Sequence, residues 1–442
     1  MAGAGLILAA PASGSGKTLI TAGLLRHLRD RGLRIAAAKA GPDYIDPTFH
    51  ALASGGQCLN LDPWAMRPKT LAGLVTELES AAAELILCEG VMGLFDGTGP
   101  DGETGSTAEL ARRTGWPVVL AVDARRQGAS AAALIAGFAR HDPALPLAGI
   151  IFNRVAGGRH RELLEAAAAR HLPGLPCLGA IPADAGLALP ERHLGLVPAN
   201  ERGAGETIIT RAAAAVGAAI NIDRLVALAR PSRLAGSGPA MPLPPLGQHI
   251  AVARDDAFLF AYPATLAGWR QQGAALSFFS PLAAEPPDPA ADAIYLPGGY
   301  PELHAGKLAG AERCLAGLRK AAAAGSAIYG ECGGYMLLGE SLADAGGVAY
   351  RMAGLLPLAT SFAARRLHLG YRTARLIADS PFGPRGARFR GHEFHHTTTV
   401  GAGDAEPLFA LVDSCGTDLG PGGLRRGPVS GSFLHLIDCE NN

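Results

Sequence analysis

The sequence has no excess of either charge: 39 Lys and Arg stand against 39 Asp and Glu, for a formal net charge of zero. A protein that coats nucleic acid or clings to an anionic membrane needs a cationic surplus, so neither is expected as a partner. The seven cysteines form no CxxC pair and keep no regular spacing. That excludes a disulfide framework or zinc ribbon as the organising device and points to a reducing compartment. No stretch reaches the roughly 18 uninterrupted apolar residues that a spanning helix needs. The opening MAGAGLILAAPASG lacks a positive n-region, and its apolar part is too short for a signal peptide. The expectation is a soluble, cytoplasmic protein. Charged residues are only 18% against 48% hydrophobic, a composition that builds large cores rather than disorder.

At 442 residues the chain is long enough for two or three domains, at roughly 150 residues each. Five prolines (231, 239, 242, 244 and 245) fall in PSRLAGSGPAMPLPPLG, where the backbone can neither continue a helix nor sit inside a sheet. Residues 231–247 therefore read as a linker between domains at 1–230 and 248–442. Before it, the apolar runs GLILAA, RIAAAK, LILCEG, PVVLAVD, AGIIFN and CLGAIP alternate with helical stretches such as Thr18–Arg31 and Ala129–Arg140. Continuous apolar strands between helices predict a parallel sheet covered on both faces. After the linker the beat resumes with HIAVARD, ALSFFSP, AIYLPGG and SAIYGECGG, and turns β-rich from about Gly346. The fold class is α/β in both halves. Ala-rich pieces at 81–83, 166–169 and 321–324 read as helix filler.

The first strand runs into ASGSGKT and then a helix. Ser13, Gly14, Ser15 and Gly16 would curl the backbone so that its N–H groups and the helix N-terminus cradle phosphates. Lys17 would reach the terminal phosphates of ATP and the Thr18 hydroxyl would join Mg²⁺. Pro11 stands where the strict motif has its first Gly, so the loop is a variant. KAGPDYIDP follows the second predicted strand and EGVMGLFDG the third. A parallel sheet gathers its site at such strand ends, which brings Lys39, Asp43, Asp46, Glu89 and Asp96 toward the phosphates, with carboxylates suited to Mg²⁺. Taken singly, each acid reads equally well as a cap or a turn residue. Asn153 and Pro182, at two further strand ends, could flank a base, although Asn153 reads nearly as well as a simple turn.

In the second half, AIYGECGGYMLLG sets Cys332 between an apolar strand and a helix. Such an elbow exposes the side chain to helix N–H groups, which favours thiolate. The other six cysteines read as inert. His435 in SFLHL is the candidate base, and the N–H groups of Gly298 and Gly299 in LPGGYPE could stabilise an oxyanion. H-x-x-H-H at His392, His395 and His396 invites a metal reading, but strand alternation puts His392 and His395 on opposite faces. A polar strand that contacts substrate is the better reading.

GKT, KAGPDYIDP, EGVMGLFDG, LPGGYPE, GECGGY, GHEFH and SFLHL, in this order, make nearly the whole chain resemble the cobyrinic acid and hydrogenobyrinic acid a,c-diamide synthase family. The resemblance implies a dethiobiotin-synthetase-like P-loop domain followed by a class I-type glutamine amidotransferase domain. It implies an ATP- and glutamine-dependent ligase of cobalamin biosynthesis. Its small-molecule substrates would be a corrin-ring polycarboxylate and L-glutamine, and it leaves room for a homodimer. Cys332 would be the glutaminase nucleophile and His435 its base, with Gly298, Gly299 and Gly333 forming the glutamine site. Ser13 to Thr18 and Asn153 would bind ATP. Lys39, Asp43, Tyr44, Ile45 and Asp96 would handle phosphate or ring carboxylates, and Thr18, Asp46 and Glu89 the metal. A carboxylate would be activated as an acyl phosphate and then displaced by ammonia from glutamine, twice. Many class I amidotransferases carry Glu two residues beyond the His, where this chain has Ile437; Asp438 is a weak substitute by spacing. Cobyric acid synthase and nickel-sirohydrochlorin a,c-diamide synthase share the architecture. A partition-type ATPase switch shares only the P-loop half and leaves Cys332 without a purpose.

Overall fold

The apolar runs become strands because helices on either side give each one two dry faces. The computed structural model describes residues 3–80, 83–187, 191–192, 195–196, 204–234, 236 and 238–440. Ala81 and Ala82, part of one Ala-rich piece, lie outside the described residues. The chain divides into two compact units, Met1–Trp64 with Leu71–Gly238, and Ala65–Thr70 with Pro239–Asn442. Among the described residues no helix is long and apolar enough to cross a membrane.

In the first unit the elements alternate as β1 (Ala4–Ala9), α1 (Lys17–Asp30), β2 (Ile35–Ala40), α2 (Asp46–Ser54), β3 (Cys58–Leu61), α3 (Pro68–Ser80), β4 (Leu85–Glu89), α4 (Thr107–Thr114), β5 (Val118–Asp123), α5 (Ser130–His141), β6 (Leu147–Val155), α6 (Gly158–His171) and β7 (Cys177–Pro182). Helices α7 (Ala204–Ala219) and α8 (Ile222–Leu228) follow. The strands form one sheet in the order β3-β2-β4-β1-β5-β6-β7, parallel throughout. The six expected strands are present. The seventh, β3, escapes a periodicity reading because it is four residues long and carries the polar Asn60. EGVMGLFDG therefore leaves the fourth strand, not the third. The order reverses around β1, so the phosphate loop opens at the point where an open α/β sheet binds its ligand.

The second unit contains β8 (His249–Ala253), α9 (Pro263–Gln271), β9 (Ala275–Phe279), β10 (Ala293–Leu296), α10 (Glu312–Ala323), β11 (Ala327–Glu331), α11 (Gly333–Leu338), β12 (His368–Leu376), β13 (Arg388–His395), β14 (Glu406–Asp413), β15 (Asp418–Arg426), β16 (Val429–Ser432) and β17 (Leu434–Cys439). Ten strands run in the order β9-β8-β10-β11-β16-β15-β14-β12-β13-β17. The first five pair in parallel and the rest antiparallel. A smaller four-stranded sheet lies beside it. β16 and β17 are separated by Phe433 alone, yet they sit at the middle and the end of the order. The sheet must therefore curl until its last strand returns beside β11. One face packs Phe258, Leu296, Leu315 and Met336; the other packs Trp269, Tyr295, Tyr329 and Phe389, and draws in Leu243 and Leu246 from the Pro-rich segment.

Close approach at α11 demands glycine. A Cβ on Gly334 would lie 2.0 Å from the Leu296 carbonyl oxygen, and backbone cannot yield as a side-chain tip can. Gly334→Ala should cost about 2 kcal/mol or more through overpacking, read as a lower thermal midpoint, with loss of soluble protein as the extreme result.

Candidate active sites

In the first unit the loop between β1 and α1 carries Gly14 at φ 75° and Gly16 at φ 91°. Gly16 caps α1, and a Cβ there would also lie 2.4 Å from Asn153 Nδ2. Asn153 Nδ2 donates to the Ser15 carbonyl at 2.8 Å. Arg154 Nη1 donates to the Gly14 carbonyl at 2.7 Å and to Asp123 at 2.7 Å. Ser15 Oγ turns back onto the Ala12 carbonyl at 2.8 Å, and Ser13 is exposed. Tying down these carbonyls fixes the peptide planes, the condition for loop N–H groups to converge on a phosphate. Asn153 thus holds the loop as well as lining a hollow with Gly16, Arg154, Ile181, Pro182 and Leu187.

Glu89, at the end of β4, is sealed from water. It accepts from Thr18 Oγ1 at 2.9 Å, meets His50 Nε2 at 2.5 Å and pairs with Lys39 Nζ at 3.2 Å. Burial alone would raise its pKa, but Lys39, His50 and Lys17 reverse that and hold it below the ordinary carboxylate range. Lys39 Nζ also lies 2.6 Å from Asp46. Burial opposes its charge, but Asp46, Glu89 and Asp43 outweigh that and keep the ammonium protonated. Asp43 accepts from the amides of Ile45 (2.7 Å) and Asp46 (3.3 Å), starting α2. Burial, then the neighbouring Asp46, raises its pKa. Tyr44 is half-buried and Ile45 buried at the same turn. Lys17 donates to the Met92 carbonyl at 2.5 Å, its pKa lowered by burial and opposed by Glu89. Asp96 accepts from the Gly93 amide at 2.8 Å, closing a local turn.

These acids do not meet at a point. Thr18 Oγ1 and Glu89 Oε1 form one hard-oxygen pair beside the phosphate loop, and Mg²⁺ needs only one or two protein ligands when phosphates and water supply the rest. That pair fits the ion. Asp46 shares Lys39 with Glu89, and Asp96 closes its own loop.

In the second unit β11 ends at Glu331 and Cys332 follows with φ 46°, ψ −101°, a strained elbow for a residue with a side chain. Its sulfur lies 4.0 Å from the Phe394 carbonyl. Burial raises the thiol pKa; Glu302, Glu331 and Glu393 add to this, and only the Gly333 amide among the neighbours pulls toward thiolate. Burial therefore opposes the expected bias to thiolate, and the six-residue helix after the elbow is a short counterweight. His435 is buried as well and pushed down to about 3 by desolvation, with His392 and His395 adding repulsion. Burial thus favours the uncharged form of both side chains. A Cβ on Gly298 would sit 2.3 Å from His435 Cε1, and one on Gly333 would sit 3.1 Å from the Gly299 nitrogen. Base, elbow and the Pro297–Gly299 loop thus approach one another only because these positions lack side chains. Asp438 is turned away to Arg67, which holds it through its amide (2.7 Å) and guanidinium (2.8 Å).

His392 sits opposite His435 in the β13–β17 register. His368, Glu393 and His395 are the three residues whose ligand atoms cluster among those described. The two imidazoles, however, stack at 4.6 Å and 7°, so their in-plane lone pairs cannot converge on one ion. Arg372 also holds Glu393 at 2.9 Å. The grouping is a stacked polar cluster.

Residues 6–197 match the CobQ/CobB/MinD/ParA nucleotide binding domain and residues 249–442 the CobB/CobQ-like glutamine amidotransferase domain. Relatives that carry the name hydrogenobyrinate a,c-diamide synthase include the following three. That of Brucella anthropi is 53% identical, covering 98% of both chains. That of Rhizobium meliloti is 53% identical, covering 98% of this chain and 99% of its own. That of Rhodobacter capsulatus is 51% identical, covering 98% of both. The chain belongs to the hydrogenobyrinate a,c-diamide synthase family.

Within this synthase family chain, sequence reasoning missed His50, Arg154 and Glu331. His50 lies four residues after Asp46 on α2, on the same helical face. Glu331 is a charged residue closing an otherwise uncharged strand, a placement that demands a partner. Arg154 gave no signal beyond its place after Asn153.

Replacing Lys39 by Met leaves Asp46 and Glu89 without their shared cation. At pH 7 denaturant titration should show about 3 kcal/mol of lost stability. Glu89 has a depressed folded pKa, so its contribution is complete above its unfolded value of 4.5 and is lost as pH falls toward the folded one. The gap between the two proteins should therefore narrow below that pH.

Proposed function

We propose that the chain converts the a and c side-chain carboxylates of hydrogenobyrinate to carboxamides, using ATP and glutamine. The observation that carries this reading is the presence in one chain of a phosphate loop with Thr18 and Glu89 beside it and of a strained, buried cysteine elbow whose Gly333 abuts the Gly299 amide, in the same loop where Gly298 abuts His435. The relatives' names favour the metal-free ring over its cobalt form. Residues 1–230 are taken as the ligase domain and 248–442 as the amidotransferase domain, joined by 231–247, in a cytoplasmic enzyme.

In the ligase half, Lys17 and the loop N–H groups would neutralise charge as a ring carboxylate becomes an acyl phosphate. Bound at Thr18 and Glu89, Mg²⁺ would add neutralisation at the phosphates. Lys39, Asp43, Tyr44, Ile45 and Asp96 would position phosphate and ring carboxylate. In the other half the Cys332 proton passes to His435, and the thiolate attacks the glutamine side-chain carbonyl while Gly298, Gly299 and Gly333 receive the oxyanion. His435 returns the proton to the leaving ammonia, and water clears the thioester to give glutamate. Ammonia then displaces phosphate from the activated carboxylate, and the cycle repeats on the second side chain.

Two substitutions separate the halves. Cys332→Ser should abolish glutamine-dependent amidation and keep ammonia-dependent amidation, with diamide product read by mass spectrometry. Lys17→Ala should depress both, by roughly a hundredfold or more, since it removes charge stabilisation at phosphoryl transfer. Glutamine-driven turnover in the serine protein would overturn the nucleophile assignment. Offering metal-free and cobalt rings side by side tests the substrate choice.

A further inference from the structure

The base in the amidotransferase half has no acid two residues beyond it, because Ile437 is there and lies buried. Another carboxyl faces it. Glu331 Oε2 lies 3.8 Å from His435 Nδ1, with both side chains almost wholly buried. The curl of the sheet makes this meeting possible: Glu331 pairs with Ser432 in the β11–β16 register, and the chain re-enters the sheet as β17 two residues later. The Leu436 amide donates to Glu331 Oε1 at 3.1 Å and the Tyr295 hydroxyl donates to Oε2 at 2.8 Å. The carboxyl is thereby held from two elements with one oxygen toward the imidazole. Glu393, the other acid near the base, is spent on Arg372 (2.9 Å) and His395 (2.9 Å).

We infer that Glu331 is the positioning residue for His435, supplied by the nucleophile's own strand in place of an acid following the base. This rests on the glutaminase reading of Cys332 and His435. As the Cys332 proton moves to one ring nitrogen, the Nδ1–H remains toward Glu331, and no bond to Glu331 forms or breaks. The 3.8 Å separation is longer than a hydrogen bond and closes as the imidazolium develops, since a charge in a dry site pulls its partner strongly.

The groups facing Glu331 are Tyr295 on β10, Tyr329 on its own strand, Cys332, and His435 on β17. Burial raises both tyrosines and the thiol well above their ordinary values, and His435 is pushed down to about 3. Glu331 itself is pushed up to about 8 by burial, with Tyr295 and the Leu436 amide opposing. Ionisation of Glu331 should therefore give the glutaminase pH profile a limb on which activity rises as the carboxylate forms.

The test is Glu331→Gln in the full-length protein. It keeps the shape, with its amide oxygen able to accept from the Leu436 amide and its NH2 able to donate to the Tyr295 hydroxyl oxygen once that hydroxyl turns. A positioning role predicts that glutaminase kcat falls at least about tenfold, with KM for glutamine little changed. The limb assigned to Glu331 should vanish, while ammonia-dependent amidation and the melting temperature stay as in the parent. Glutamine-dependent kcat within twofold of the parent across the pH range would overturn the inference. In the unsubstituted protein, ¹⁵N-histidine spectra assigned by comparison with His435→Gln should show the Nδ1–H tautomer at residue 435, and the Nε2–H tautomer would equally overturn it. Cys332→Ser is run in parallel. If it keeps glutamine activity, the glutaminase reading itself falls, whereas loss there with parent-like Glu331→Gln removes only the role of Glu331.

Discussion

Glu89 is a carboxylate with no access to water, and the first unit is arranged to keep it charged. An isolated buried carboxylate would take up a proton. Here Lys39 from β2, His50 from α2 and Thr18 from α1 all reach it. Each of those contacts fixes an element: the end of β2 beside β4, the start of α1 behind the phosphate loop, and α2 across both. Breaking such a cluster by removing one member costs several kcal/mol because the remaining charge has no compensating solvent. The geometry that can hold a magnesium-bound triphosphate is therefore the same geometry that keeps the sheet's central strands in register.

The second unit is governed by exclusion of side chains rather than by charge. Gly298, Gly333 and Gly334 each stand where a Cβ would meet His435, the neighbouring Gly299 nitrogen or the Leu296 carbonyl at 3.1 Å or less. These absences let the elbow approach the Pro297–Gly299 loop, and that loop approach the returning strand. Crowding also removes water, which accounts for the direction of both titrations: the thiol is raised and the imidazole lowered, so both prefer to be neutral.

The strands and the two phosphate and thiol elbows could be read from runs and motifs because those signals are local. Continuous apolar segments leave no other home than a covered sheet, and a Gly-flanked Lys or Cys between strand and helix has few bland explanations. What stayed hidden depends on contacts distant in sequence. β3 is too short to show a period and exists because β2 offers it an edge. That Asn153 also ties down the Ser15 carbonyl cannot be read from its place at a strand end. The ion pairs by which Lys39 joins Asp46 to Glu89 are likewise invisible in the sequence. Glu331 could be singled out as a charge in an apolar strand, but its partner arrives from 104 positions later through a curl that no local pattern encodes.

The two sites meet opposite electrostatic demands. Phosphoryl transfer develops charge on oxygens already charged, so a standing array of ammonium groups and carboxylates can be built in advance and held by the fold. Amide cleavage needs charges that exist only during attack. A permanent thiolate–imidazolium pair would have to be stabilised by the resting protein, and that stabilisation would be subtracted from the gain on reaching the tetrahedral state. Burial that favours the neutral thiol and imidazole is compatible with deferring charge separation until a substrate carbonyl is there to receive it. Free thiolate, which water-borne oxidants and electrophiles attack, is scarce in such a setting.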